Sequence, residues 1–440
     1  MAGARRSGRV GALAATIVQV AALGAGALTS FVVARRLGAE GTGIFAVAGQ
    51  FVLIGAVLGG LGLRTGIAHE ISAGRLSRHA AATEATLLSL GLGVVAGAAG
   101  FALYELGSET VFEGIDAPLA AVLAASVPFA VAWWVLAAIP LAEEDYEEFA
   151  VLQSSPFVLL AVMVVPLTLS VGTDGVLIAV AGSFGLAGAG SVAWALRRTA
   201  GDAGGGWHLA ESVRMGLRGW MLEMLQLLPL RPDIIIVAGY GAATDAGVYS
   251  LAVSITAVGW VLPQAVGTIA LPLVASDVAS SADATAGEGA AVPRPLATRA
   301  LRHGVLLSIV AGVGVGAMLL AVPPIFGEDF DRTVGLGLIM LPGVIALALG
   351  RVMIGLLLGL GRANAVLAIG LAVVPPALAA YLLAVPGGGP TAAAIVSGAA
   401  YLLTTLGASL ALRREGLRLS RAALTPRRAD LRDYLPARRP

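Results

Sequence analysis

The stretch Met221–Tyr240 reads MLEMLQLLPLRPDIIIVAGY. It has the length and apolarity of a membrane span, yet it holds Glu223, Gln226, Arg231 and Asp233 together with Pro229 and Pro232. A charge at bilayer depth costs from about 2.5 to more than 10 kcal/mol. Each proline removes a backbone donor and frees a carbonyl one turn upstream. Freed groups at membrane depth are tolerated only where protein or a water-filled cavity covers them. The segment is therefore expected to kink at Pro229 and Pro232 and to line a polar cavity. The planar fork of Arg231 suits an anion such as phosphate. Glu223 or Asp233 suits H⁺ or Na⁺, because a buried carboxylate couples its protonation to conformation. Arg231 and Asp233 stand two residues apart, about 200° around an ideal helix. They pair directly only if the prolines distort it.

Further arginines lie in or beside apolar runs: Arg35, Arg36, Arg64, Arg218 and Arg351. Arg351 sits about ten residues, or roughly 15 Å, from the inner end of its run at 1.5 Å per residue. Snorkelling reaches that depth with difficulty, so Arg351 faces either a cavity or a carboxylate of the same half. Arg64 is read either as an anion ligand or as an anchor at the inner membrane surface. Arg35 and Arg36 can pair with Glu40. The chain has no cysteine and four scattered histidines, His69, His79, His208 and His303. Disulfides, thiolate catalysis and cysteine-bound metals are thereby excluded. No catalytic group, metal site or cofactor is expected, and sparse aromatics offer no platform for nucleic acid.

The elements that must position these residues follow from composition. Of 440 residues 58% are hydrophobic and 12% charged, with a mean hydropathy of +0.88. Soluble domains carry about 25% charged residues, so the chain reads as a polytopic membrane protein. Taking about 20 apolar residues per span, the runs divide into twelve helices. The charge-free stretch Ala363–Leu412 is divided in two at Pro386-Gly387-Gly388-Gly389-Pro390. Arginine crowds the termini and the even-numbered connections, leaving Arg35, Arg36, Arg231 and Arg332 on the other side. Both termini are therefore expected in the cytoplasm, and the multi-pass chain in the plasma membrane of a prokaryote.

The halves repeat. Gly38–Phe45 (GAEGTGIF) is similar to Gly241–Tyr249 (GAATDAGVY) with one gap. Ala150-Val151-Leu152 recurs as Ala365-Val366-Leu367, and Ala195-Leu196-Arg197-Arg198 as Ala411-Leu412-Arg413-Arg414. Six helices per half give parallel repeats, a transporter plan with its site between the halves. The expected organisation is a cytoplasmic N-terminus (1–9), a first lobe (10–198), a linker (199–213), a second lobe (214–412) and a basic tail (413–440). Gly55 with Gly59, and Gly93 with Gly97, are spaced for close helix approach.

The strings LGAEGTGIFAVAGQF, GLGLRTGIAHEIS, GLRGWMLEMLQLLPLRPDIIIVAGYGAATDAGVYSLAV and PPIFGEDF resemble the polysaccharide transporter branch of the multidrug/oligosaccharidyl-lipid/polysaccharide exporter (MOP) superfamily. These are oligosaccharide repeat-unit flippases, and the resemblance runs from about Leu37 to Leu412. It implies an all-α membrane protein of twelve helices, in two six-helix lobes around a V-shaped cleft. It also implies export of a polyprenyl-diphosphate-linked oligosaccharide, driven by an ion gradient or by downstream consumption. Arg64, Arg218, Arg231 and Arg351 would then bind the diphosphate, and Glu223 and Asp233 the coupling H⁺ or Na⁺. Membrane lipids and a polymerase or glycosyltransferase would be partners. Two alternatives stand beside this reading. A multidrug/cation antiporter of the same fold would favour acids over arginines. A membrane glycosyltransferase or polymerase would need a larger outer loop than the one carrying Glu105, Glu109, Glu113 and Asp116.

Overall fold

The computed structural model describes residues 2–198, 213–214, 216–217, 220, 232–267, 270, 274, 294–417 and 425, without the side chains of residues 2–17, 19, 20, 23, 294 and 295. Among the described residues all regular structure is helical. The elements are α1 (Ala2–Gly59), α2 (Leu63–Ser72), α3 (Arg78–Gly107), α4 (Ala117–Leu136), α5 (Ala138–Ala142), α6 (Tyr146–Val171), α7 (Thr173–Arg198), α8 (Pro232–Tyr240), α9 (Ala243–Ala257), α10 (Arg294–Leu320), α11 (Val322–Phe326), α12 (Asp331–Gly359) and α13 (Ala363–Arg414). Two 3₁₀ turns, Val258–Trp260 and Glu328–Phe330, complete them.

Nine helical runs among the described residues are long and apolar enough to cross a membrane. Two of the nine each contain two of the expected spans. The long helix α1 bends at Gly38, with φ 65°, and α13 bends at Gly389, with φ 55°. Positive φ is the region where glycine escapes the Cβ clash. The second bend falls inside the Pro386–Pro390 divider. Of the seventh expected span the C-terminal end is described as α8, with Gly216, Leu217 and Trp220 before it.

The chain divides into two compact units, Met1–Leu227 with Ile234–Val248, and Leu228–Asp233 with Tyr249–Pro440. In the first unit, Leu63, Ile67, Ala82, Val131, Val135 and Leu136 form part of a buried apolar core. Backbones come close there. A Cβ on Gly97 would meet the Ala124 carbonyl oxygen at 2.5 Å, and one on Gly59 would meet Ala96 Cβ at 2.8 Å. Gly55 and Gly93 pack on Val127 and Pro128 of α4. The glycine pairs in the sequence thus serve close helix packing. Pro156 of α6 cannot donate to Leu152 O, and that carbonyl instead accepts from Trp133 Nε1 at 2.7 Å and Ser155 Oγ at 2.8 Å.

One contact in this unit is reciprocal. A Cβ on Gly43 would run into the Ala243 carbonyl oxygen, and a Cβ on Gly247 into that of Ala39. Ala39 and Ala243, like Gly43 and Gly247, are 204 residues apart. The sequence repeat is therefore also a contact between corresponding residues.

In the second unit, Leu301, Val352, Met353, Leu356, Leu357 and Leu412 belong to the buried core. Gly343 lies against the backbone of Gly398, and Gly355 against that of Gly267. The helices α12 and α13 and the run Ala243–Gly267 are thereby held at backbone contact.

Candidate functional site

The second unit holds two polar constellations on these packed helices. Arg351 lies on α12, eight residues before its last residue, Gly359, so about 12 Å from that end at 1.5 Å per residue. A Cβ on Gly267 would meet the Arg351 carbonyl oxygen at 2.9 Å, so the run carrying Gln264 and Trp260 passes directly beside it. Arg351 Nη1 donates to Gln264 Oε1 at 2.9 Å. Its guanidinium carbon stands 5.2 Å from the Trp260 ring centroid. Trp260 in turn meets Tyr401 edge-on, at 5.9 Å and 82°. Arg351 Nε is buried and has no hydrogen-bond partner among the described residues. Its neighbours are thus an amide and aromatic rings, with no carboxylate in contact among the described residues. Among the described residues, neutral partners hold the guanidinium in place. Trp260 closes a 3₁₀ turn inside its span, a geometry that often marks a hinge.

The other constellation centres on Asp233, which is fully buried near the start of α8. Tyr249 Oη donates to Asp233 Oδ2 at 2.7 Å. Tyr249 Oη and Ser397 Oγ lie 2.8 Å apart, and Tyr381 Oη and Ser397 Oγ 2.9 Å. Ser397 Oγ also lies 3.4 Å from Asp233 Oδ2 and 2.9 Å from Ala393 O. All four side chains are at most 1% exposed. Counting explains how they meet. Asp233 and Tyr249 stand eight residues before and after the bend at Gly241. Tyr381 and Ser397 stand eight residues before and after Gly389, where α13 folds back. Two hairpins with equal arms bring four polar groups to one level, about 12 Å along the helices from each bend.

Of the residues singled out in the sequence, Arg218, Glu223, Pro229 and Arg231 lie outside the described residues. Pro232 is the first described residue of α8. Arg64 lies beyond the end of α1. The first unit's helix α1 ends at Gly59, Leu61 and Gly62 turn with positive φ, and Arg64 is the second residue of α2. Its guanidinium carbon stacks 4.0 Å from the Trp134 ring centroid and 5.6 Å from that of Phe149. Arg35, Arg36 and Glu40 are exposed. Trp260, Gln264, Tyr249, Tyr381 and Ser397 were not anticipated, although the equal spacing about two glycine bends is readable in the sequence.

No protein-family model matches the chain, and no curated protein matches it in sequence. Solved structures share its fold. The inward closed conformation of the lipid II flippase MurJ superposes with a TM-score of 0.74 at 12% identity, covering 91% of this chain and 87% of that one. An inward-facing multidrug resistance MATE family transporter of the MOP superfamily gives 0.68 at 16% identity, covering 90% and 94%. A point variant of a Vibrio cholerae MATE transporter gives 0.53 at 17% identity, covering 96% and 100%. The chain shares the all-α fold of these transporters.

Proposed function

We propose that this chain moves a polyprenyl-diphosphate-linked oligosaccharide from the inner to the outer leaflet by alternating access, as a multi-pass protein of a prokaryotic plasma membrane with both termini inside. The observation that carries this reading is Arg351, a half-buried cation within a span, held by Gln264 and Trp260 and contacting no carboxylate among the described residues. Keeping such a charge at membrane depth is costly. A ligand that brings its own negative charge repays that cost, and a diphosphate takes the bidentate donors of a guanidinium. Arg64 on its aromatic bed in the first unit is a second ligand of the same chemistry. Arg218 and Arg231 complete the proposed set, and Glu223 and Asp233 take the coupling ion. The fold shared with a lipid II flippase supports a lipid-linked cargo. A polymerase or glycosyltransferase would take up the exported glycan.

A second reading, ion-coupled export of organic cations, is favoured by the buried carboxylate Asp233 and by the fold shared with multidrug transporters. Reconstitution into liposomes with a fluorescent polyprenyl-diphosphate oligosaccharide separates the two. The wild type is expected to deliver the lipid to the opposite leaflet. Arg351→Gln should slow delivery by about tenfold or more, the value of a charge-assisted hydrogen bond, at unchanged protein level and thermal midpoint. Delivery by Arg351→Gln at the wild-type rate would sink the anion argument. No delivery by the wild type, with uptake of organic cations under a proton gradient, would establish the second reading.

A further inference from the structure

We propose that Arg299, Arg362, Arg413 and Arg414 form a rim on the second unit that binds the phosphate headgroups of anionic phospholipids. The inference stands on the second unit's own helices and is independent of the cargo.

The rim stands where lipid-facing stripes end. On α10, Val310, Val313 and Leu320 are 54%, 71% and 67% exposed. At about 100° per residue they share one face with Arg299, which is exposed as well. Arg299 and Leu320 are 21 residues apart, about 31 Å at 1.5 Å per residue. A bilayer's hydrocarbon core is about 30 Å thick. The last arm of α13 repeats the pattern. Ile395, Leu402, Leu406 and Leu410 are exposed, and their face ends in the exposed Arg413. Ile395 and Arg413 are 18 residues apart, about 27 Å along the helix. With the apolar side chains of both stripes among the acyl chains, both guanidiniums stand at headgroup level.

Both stripes end at the same place. Ala300, Leu301, Leu356, Leu357, Leu412 and Leu417 belong to one buried cluster. It joins the start of α10 to the ends of α12 and α13. Arg299, Arg413 and Arg414 are next to members of that cluster in the chain, and Arg362 follows the turn after α12. Arg362 Nη2 donates to Glu415 Oε2 at 2.9 Å, and the Arg362 side chain is still 57% exposed. Glu415 is the one acid at this end of the unit among the described residues. The four arginines and Glu415 together carry a net charge of +3. Arginine at a membrane surface draws anionic lipid, and its planar fork matches phosphate oxygens.

The repeat separates this rim from the general placement of arginine at one membrane surface, which acts on both halves alike. By the register that aligns Ala150-Val151-Leu152 with Ala365-Val366-Leu367, the counterpart of Arg362 is Glu147. Glu147 is exposed and ends the stripe formed on α6 by Val151, Val158, Val162 and Leu169. Arg197 is the counterpart of Arg413, but Glu144, Asp145 and Glu148 accompany Glu147 in the chain. Arg75 and Arg78 of the first unit pair with Glu70 and Glu143. Corresponding ends of the two units thus present opposite charge to the headgroups.

The test is fluorescence quenching on the full chain in lipid vesicles, with no lipid-linked oligosaccharide present. A fluorophore is attached at Leu410→Cys, one turn before the rim, or at Val151→Cys, one turn from Glu147. The quenchers are phosphatidylglycerol and phosphatidylcholine, each with a nitroxide near the headgroup. At Leu410→Cys, phosphatidylglycerol should reach half-quenching at about fivefold lower mole fraction, the worth of about one arginine near an anionic surface. The preference should shrink as salt rises and should be absent at Val151→Cys. Adding Arg299→Gln, Arg413→Gln and Arg414→Gln, which keeps the Arg362–Glu415 pair, should abolish it. Equal quenching by both lipids at Leu410→Cys would overturn the proposal. A preference that survives the three substitutions would belong to the tail after Leu417 and overturn it too. So would an equal preference at Val151→Cys, or one that millimolar glycerol phosphate removes, which would mark a site for soluble anions. If the triple variant does not fold, Arg413→Gln with Arg414→Gln decides. Failure here leaves lipid flipping untouched, and failure of flipping leaves this preference untouched.

Discussion

At the scale of single residues, the informative contrast is between two ways of keeping a charge in a membrane. A fixed carboxylate partner neutralises an arginine permanently. An amide and an aromatic face hold it in place and leave its charge for a ligand. Among the described residues, Arg351 has the second kind of environment. Supplying the missing counter-charge should therefore be as damaging to transport as removing the arginine. Gln264→Glu places a carboxylate 2.9 Å from Nη1 without changing side-chain length. We expect transport to fall by about tenfold or more while the thermal midpoint stays level, since Gln264 is exposed and an exposed ion pair contributes about 0–1 kcal/mol. A midpoint below wild type together with normal transport would contradict this account.

At the scale of elements, the sequence was readable where local chemistry decides and opaque where packing does. Glycine and proline mark the fold-back of α13 without ambiguity, and the structure turns at Gly389. The bend at Gly38 lies in a connection flanked by Arg35, Arg36 and Glu40. Leu61, an apolar residue, adopts φ 41° in the turn that sets Arg64 in a helix of its own, α2. Apolarity alone carries no sign of that. Tyr249, Tyr381 and Ser397 escaped notice because isolated hydroxyls in apolar helices are common, and only their partners across helices distinguish them. Packing also sets which glycines matter. A side chain at Gly43 or Gly247 meets a backbone carbonyl that cannot rotate aside. Gly43→Val and Gly247→Val should each cost about 1–3 kcal/mol by overpacking, read as a lower thermal midpoint. Gly49→Ala, with open space at its Cβ position, should stay near wild type. Equal midpoints for all three would show that the reciprocal contact is not maintained.

At the scale of the whole molecule, the absence of cysteine is a practical asset. Single-cysteine labelling needs no prior removal of native thiols. The expected orientation places Gly387, in the fold-back of α13, outside and the stretch after Arg414 inside. Gly387→Cys should react with a membrane-impermeant maleimide in intact cells, and Thr425→Cys only after permeabilisation. The reverse pattern would invert the topology read from the arginines. The two polar constellations of the second unit are also neighbours along α13. Ser397 is one turn from Tyr401, whose ring meets Trp260 beside Arg351.

The eight-residue arms on either side of Gly241 and Gly389 work as a ruler. Most apolar substitutions between a bend and its polar residue leave the count intact, so these stretches are free to drift. Deleting one residue from an arm is another matter, because it turns the hydroxyl by about 100° and displaces it by about 1.5 Å along its helix. The hydrogen-bonded cluster would then fall out of register with every one of its own residues still present. Among distant relatives, a gap in one of these arms would report the loss of the site even where all four polar residues could still be aligned.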